Sequence, residues 1–214
     1  MAVRLERLAP LTGVGFFILI IVSFVIAGST PDIDDSTAEI VAFWRNNSGQ
    51  QLTSAWFGGT AALFLLWFGG SLRRAIARAE DGDGRLAALS FGGAITATVG
   101  LLLLSTMTFA VADTADHVPP EVVHTLNVLT YDVFMPLAGG AVVLLAAAGL
   151  AFIRTAVLPQ WLGWVAFVIA AVILTPLGFF GLLAFLLWIA GVSILLYLRE
   201  PADLGRVSPS EEPS

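Results

Sequence analysis

The stretch TMTFAVADTADHVPPEVVHTLNVLTYDVFMP, residues 106–136, joins two long apolar segments through a polar turn at Val118-Pro119-Pro120. It contains both histidines of the chain and several carboxylates, in surroundings otherwise rich in Ala, Val, Leu, Ile, Phe and Gly. Its polar members are Asp113, Asp116, His117, Glu121, His124, Tyr131 and Asp132. We therefore interpret the stretch as a helical hairpin and as the first place to look for function.

The composition predicts an integral membrane protein. Of the 214 residues, 57% are hydrophobic and 12% are charged, with a mean hydropathy of +0.89, well beyond the roughly half-apolar average of soluble domains. No cysteine is present, which excludes disulfides, thiolate catalysis and Cys-ligated zinc or iron–sulfur sites. The formal net charge of −6 is less informative, because the placement of basic residues sets the orientation of a membrane protein.

The apolar segments predict an all-α fold with six transmembrane helices, since a span needs about 20 residues at 1.5 Å each. The first segment is longer than the core of a cleaved signal, so we interpret it as a retained helix. A polar tail at 201–214 is predicted to be disordered in the cytoplasm. The predicted spans cover residues 9–28, 53–72, 86–112, 121–153, 159–176 and 179–198.

A short helix is predicted between the first two spans. Ser36-Thr37-Ala38-Glu39 has the spacing of a capping box, so a helix should run from Thr37 to about Asn47. Its apolar residues suit a helix that lies in the membrane interface. Trp44 is then expected at the level of the lipid headgroups.

The arginines predict the orientation of the chain. Every basic residue is Arg, which we interpret as a bacterial coding bias, and Arg45 alone falls on one face of the predicted topology. The arginines on the other face are Arg4, Arg7, Arg73, Arg74, Arg78, Arg85, Arg154, Arg199 and Arg206. The positive-inside rule makes that face cytoplasmic. We expect a multi-pass protein of the bacterial inner membrane, with both termini in the cytoplasm.

Helix length places the polar hairpin at the outer boundary of the membrane. Asp132 lies 22 residues before Arg154, which is about 33 Å of helix and close to the whole hydrocarbon thickness. Measured in the same way from Arg85, the third span reaches the outer boundary near Thr106. Both helices should therefore project outward. A bend is expected near Pro136, which has no amide to bond the carbonyl of Asp132.

Three interpretations of the polar cluster stay open. The first is a metal site, for which two imidazoles and two carboxylates suit zinc, and which would make the protein a metal-dependent membrane enzyme. Solvated loop residues are the alternative explanation for the same side chains. The candidate ligands are Asp113, Asp116, His117 and His124.

The second interpretation is a carrier in which Asp132 collects protons or cations, although its shallow predicted depth argues against a midplane binding site. The third is a non-enzymatic protein whose outer-face vestibule binds or transports a small apolar or amphipathic ligand. This interpretation requires the fewest specific roles for individual residues, and it is the function that we expect. No cofactor is expected with it; zinc would belong to the first interpretation. Its candidate residues are His124, Tyr131, Asp132, Asp113 and Trp44.

The sequence also bears on partners. It has no nucleotide-binding loop, no serine in a nucleophile elbow and no basic patch beyond the arginines that set the topology, so nucleic acid is not expected. Membrane lipid and a small molecule are the expected partners, and a homo-oligomer stays open. Glycine pairs favour close packing of helices in a membrane; they are Gly58-Gly59, Gly69-Gly70, Gly92-Gly93 and Gly139-Gly140.

Three segments carry a resemblance to a known family. They are Leu158-Pro159-Gln160-Trp161-Leu162-Gly163-Trp164, Pro176-Leu177-Gly178-Phe179-Phe180 and the early acidic segment with Ala38-Glu39-Ile40. The chain resembles, over most of its length, the small actinobacterial membrane proteins grouped as domain of unknown function 4386. The resemblance implies six helices in a bacterial inner membrane. It implies no activity and assigns no catalytic residue.

Overall fold

Eight α-helices make up the computed structural model, which describes residues 8–204. A 3₁₀ turn at Ala9–Leu11 leads into the first of them. The helices are α1 Thr12–Ala27, α2 Thr37–Asn46, α3 Ser48–Ala79, α4 Arg85–Thr114, α5 Pro120–Asp132, α6 Met135–Thr155, α7 Gln160–Ile173 and α8 Gly178–Leu204. No strand occurs among these residues, and the predicted all-α class is confirmed.

Within residues 8–204, five segments are long and apolar enough to cross a membrane. They are Ala9–Ala27, Ser48–Ala79, Arg85–Thr114, Pro120–Thr155 and Gly178–Arg199. The predicted span 159–176 corresponds to α7, which has 14 residues and is shorter than the others. Four residues of the predicted tail belong to α8, and 205–214 lie outside the described residues, as do Arg4, Arg7 and Arg206.

The end of α7 has a local cause. Pro176 cannot donate an amide to continue the helix. The hydroxyl of Thr175 donates to the carbonyl of Val172 at 2.7 Å and accepts from the amide of Leu177 at 3.2 Å. These two bonds satisfy backbone groups that the next helical turn would otherwise have used. The chain therefore reverses into α8 after a short turn, residues 174–177.

The long helices pack in a ring. In chain order α1 packs on α3, α3 on α4, α4 on α6, α6 on α7 and α7 on α8, and α8 returns to α1. One end of this bundle, which we call the cap end, carries α2 and the turn between α4 and α5. The opposite end is called the arginine end. The arginine end carries the connections from α3 to α4 and from α6 to α7, with Arg73, Arg74, Arg78, Arg85 and Arg154 beside them.

Serine hydroxyls hold α1 to both of its neighbours. Ser193 of α8 is fully buried, donates to the carbonyl of Pro10 at 2.6 Å and accepts from the amide of Val14 at 3.2 Å. It thus bridges two backbone groups that an ordinary helical turn would pair directly. On the other side, Ser23 donates to the carbonyl of Ser54 at 2.9 Å, and Ser54 donates back to the carbonyl of Ser23 at 3.0 Å. These contacts close the ring.

A two-residue break divides the segment predicted as one span over 121–153. Val133 and Phe134 lie between α5 and α6, and Pro136 stands in the first turn of α6. Proline has no amide to bond the carbonyl of Asp132, so the helical hydrogen-bond pattern is interrupted at the place where a bend is expected; the bend itself stays a prediction. On either side of this interruption, α5 packs against α2 and α4, and α6 packs against α4 and α7.

Glycines bring α4 and α6 into backbone contact. One member of each predicted glycine pair is buried, and in the pair of α6 it is Gly140. A Cβ built at Gly140 would collide with the backbone nitrogen of Ala97. A Cβ at Gly100 would likewise collide with the backbone nitrogen of Leu137. The two helices therefore approach more closely than side chains would allow, as small residues permit between apolar helices.

We expect Gly140→Ala to lower the free energy of unfolding by about 1–3 kcal/mol, because the added methyl group must push two backbones apart. Gly139→Ala is the matched control: a Cβ at Gly139 meets nothing within 4 Å. That control should be neutral or stabilising by about 0.5–1 kcal/mol, since alanine suits a helix better than glycine. Denaturant unfolding in detergent measures both variants. Equal losses from the two would contradict the close contact.

Candidate functional site

The cap end is closed by α2, which begins at the predicted capping box. Ser36 Oγ accepts from the amide of Glu39 at 3.3 Å, and the Glu39 carboxylate accepts from the amide of Ser36 at 3.1 Å. The buried face of α2 packs on α4 and α5 in a small apolar cluster separate from the main core. Its buried members are Ile40, Val41, Trp44, Val111, Ala112, Ala115 and Val123. The helix therefore docks on the hairpin.

Trp44 is the anchor of this cap. Its indole Nε1 donates to Asn127 Oδ1 at 2.9 Å, and its side chain is 1% exposed. Trp44 is therefore covered by protein, and the expectation that it lies at headgroup level stays a prediction. Asn127 on α5 offers a buried acceptor, and the neighbouring apolar residues cover the ring, so burial costs the indole no hydrogen bond. Trp44 faces inward.

Beneath the cap the ring borders a partly open cavity of about 640 Å³. It lies between α1, α3, α4, the α5–α6 break, the α7–α8 turn and α8. Nothing acidic or basic, histidine included, is found among its lining residues. The residues that line it include Phe16, Ile20, Ser23, Phe24, Trp44, Gln51, Ser54, Leu101, Thr108, Asn127, Thr130, Tyr131, Thr175, Pro176, Phe179, Phe185 and Leu186.

The cavity has a polar end and an apolar end. Along α4, Thr108 lies nearer the cap and Leu101 two turns deeper; along α1, Ser23 lies nearer the cap and Phe16 deeper. The cap side also carries Trp44, with its indole nitrogen. Such a wall, mostly apolar with a few placed polar groups, is typical of small-molecule sites. Its gradient matches a ligand with a polar head toward the cap.

Two buried amides stand at the polar end with hydrogen-bonding capacity left over. Gln51 Nε2 donates to the carbonyl of Ala27 at 2.7 Å, which leaves Oε1 as an acceptor. Asn127 Oδ1 accepts from Trp44, which leaves Nδ2 as a donor. Both leftover atoms are buried and have no partner within residues 8–204. The partner groups fix both amide orientations, because an indole nitrogen only donates and a carbonyl only accepts.

Of the five ligand-binding residues predicted from the sequence, Trp44 and Tyr131 line the cavity. Tyr131 also donates its hydroxyl to the carbonyl of Pro31 at 2.6 Å, which ties the α1–α2 connection to α5. His124 Nδ1 lies 2.9 Å from Thr37 Oγ1 and so joins α5 to the start of α2. Asp113 and Asp132 are exposed and are not lining residues. The predicted set is therefore divided between cavity wall, cap contacts and open surface.

The four candidate metal ligands are not brought together. Asp116 lies 3.6 Å from Arg45, an exposed ion pair that contributes little to stability. His124 contacts Thr37, and His117 is exposed. Within residues 8–204 no three His, Cys, Asp or Glu side chains are grouped so as to hold a metal ion. The zinc hypothesis thus gains no ligand set from the described part of the chain.

Sequence reasoning missed Gln51 and Asn127. No charge or motif in the sequence marks Gln51, which is buried in the first turn of α3. On α5, Glu121 and His124 attract attention for their chemistry, whereas the buried residues are Val123 and Asn127. The available signal is Asn127, a lone amide four residues after Val123 and therefore on the same face of the helix.

Comparison of the chain with models of protein families, with curated proteins and with solved structures finds no match. The resemblance to domain of unknown function 4386 therefore stays a prediction. Function has to be argued from the cavity itself.

The capping box predicts a pH effect confined to the cap. The Ser36 hydroxyl, and next its amide, lower the pKa of Glu39 below its ordinary value of 4.5. A lowered carboxyl pKa adds stability that is present above the ordinary value and is lost as pH falls through the lowered one. Ser36→Ala should therefore raise the pKa of Glu39. It should also speed amide exchange in α2 at pH values above the ordinary pKa of Glu39, where the parent protein has the full stabilisation.

NMR titration of Glu39 and hydrogen exchange of α2 test this prediction. Ser29→Ala, in the same connection but outside the capping box, is the control and should leave both readings unchanged. A Glu39 pKa that does not move in Ser36→Ala would contradict the assignment.

Proposed function

We propose that this protein binds a small apolar or amphipathic ligand in the cap-end cavity, within a bacterial inner membrane. The cap end faces outward, both termini are cytoplasmic, and α7 is the sixth membrane segment, although its 14 residues are too few to reach from one boundary to the other. The cavity carries the proposal: about 640 Å³ of space falls in the 300–1,000 Å³ range of small-molecule sites. Its lining residues include nothing charged, so it suits a neutral ligand.

The distribution of arginines supports the orientation. Arg73, Arg74, Arg78, Arg85 and Arg154 stand at the arginine end, and the cap end has Arg45. A cytoplasmic arginine end follows from the positive-inside rule. The 21 residues of α6 would span about 32 Å, so Asp132, before the start of α6, falls at the outer boundary and not at the midplane.

Binding is favoured over transport by what fills the other half of the bundle. Phe68 and Leu72 of α3 and Phe152 of α6 are fully buried there and belong to the main core. A path from the cavity to the arginine end would have to displace these side chains, and interiors of this kind are close-packed. The ligand therefore enters and leaves on the cap side of this core.

Quenching of Trp44 fluorescence tests the proposed function. The other five tryptophans are replaced by Phe, and the purified protein is titrated with 2-bromoundecan-1-ol, a neutral amphiphile whose bromine lies beside its hydroxyl head and quenches at contact. We expect saturable quenching, because Trp44 lines the cavity and is 1% exposed. Linear, non-saturating quenching would mean that the alcohol meets the protein through the detergent alone.

A matched pair of variants locates the binding. Thr108→Phe adds a ring within the cavity and costs no contact between helices, since this hydroxyl bonds to the carbonyl of Leu104 in its own helix. We expect its Kd to rise at least about tenfold, which is about 1.4 kcal/mol. Thr106→Phe, on the exposed face of the same helix with a hydroxyl bonded to Leu102, should bind as the parent does. Equal binding by both would refute the cavity as the site.

A further inference from the structure

The cap half of the ring has a gap beside α7. The 14 residues of α7 span about 21 Å, which is roughly 9 Å less than the hydrocarbon thickness of about 30 Å. Since α7 begins beside Arg154 at the arginine end, this length places its far end below the outer boundary. The 22 residues of Gly178–Arg199, about 33 Å, place the same turn at that boundary. The turn at 174–177 therefore falls at or just inside the outer edge of the hydrocarbon region. Thr175 and Pro176 of this turn line the cavity.

The turn is built to tolerate lipid. Irregular backbone at this depth needs its polar groups satisfied. The amides of Leu174 and Thr175 bond to carbonyls of α7, and the amide of Gly178 bonds to the carbonyl of Thr175 at 2.9 Å. The hydroxyl of Thr175 serves Val172 and Leu177. The outward side chains are apolar, with Leu174 at 74% exposure.

Two phenylalanines stand on either side of the gap. Phe24 at the cap-side end of α1 is 51% exposed, and Phe179 at the start of α8 is 61% exposed. Both also line the cavity. Residues that are exposed on the flank and also line the interior mark the place where the two are connected. Toward the cap, Trp44 is buried, whereas Gly28, Thr30 and Tyr131 are exposed lining residues, so the opening extends from this flank toward the cap.

We propose, resting on the function proposed above, that the cavity opens sideways between Phe24 and Phe179 and takes a neutral single-chain lipid from the outer leaflet. The chain lies against Phe16, Leu101 and Phe185 at the deep end, and the head lies toward the cap. A phospholipid is disfavoured because its phosphate would meet a wall without arginine, lysine or histidine, and an unpaired buried charge is costly.

Photo-cross-linking in vesicles tests the route. The full chain is reconstituted in phosphatidylcholine vesicles with a monoacylglycerol that carries a diazirine at the end of its chain, and labelled residues are mapped by mass spectrometry. Label on Phe16 and Phe185 reports entry, because each is 1% exposed and is shielded from bulk lipid. Label on the exposed Leu187 reports ordinary lipid contact and serves as the internal standard.

Closing the gap supplies the decisive comparison. The chain has no cysteine, so Phe179→Cys introduces a single thiol at the gap, which reaction with N-biphenylmaleimide makes bulky. Leu187→Cys, 64% exposed on the same helix and not a lining residue, is treated identically. The unreacted form of each variant is its own folding control.

We expect reaction at position 179 to lower the label on Phe16 by about tenfold, because a narrowed entrance slows association, and reaction at 187 to leave it unchanged. Equal labelling after both reactions would overturn the sideways entrance. If buried residues stay unlabelled in vesicles while 2-bromoundecan-1-ol still quenches Trp44 in detergent, the lipid proposal fails and the proposed function stands. Failure of both measurements would remove both proposals.

Discussion

The length of α7 determines what the rest of the bundle can do. Its 14 residues end where Pro176 withholds an amide and Thr175 satisfies the loose backbone groups. The arginine half of the ring is consequently filled by side chains from all of its helices, whereas the cap half lacks part of one wall. The space left over is the cavity, and its apolar lining follows from the composition of helices that otherwise face one another or lipid.

The cap bounds that space on one side. Trp44 donates to Asn127, and Gln51 holds the end of α1 through the carbonyl of Ala27. These buried contacts fix α2 against α5 and the end of α1 against α3. Each of them uses one side of an amide and leaves the other side buried without a partner among residues 8–204.

Local patterns in the sequence predicted the parts that depend on neighbours along the chain. The capping box at Ser36, the hairpin turn before Pro120 and the break before Pro136 all follow from short-range backbone chemistry. The inward position of Trp44 could not be predicted in this way, because it depends on an acceptor 83 residues later in the chain. The histidines and aspartates attracted attention for their chemistry, yet the wall of the cavity is built from amides, hydroxyls and apolar groups.

The most direct measurement is a crystal structure of the protein with bound 11-bromoundecanol, in which the anomalous signal of bromine marks the end of the chain. The account predicts a bromine peak at the deep end of the cavity, between Phe16, Leu101 and Leu186, with the hydroxyl directed toward the cap. Bromine found around the flanks of the bundle, with these side chains packed against one another and no space between them, would contradict it.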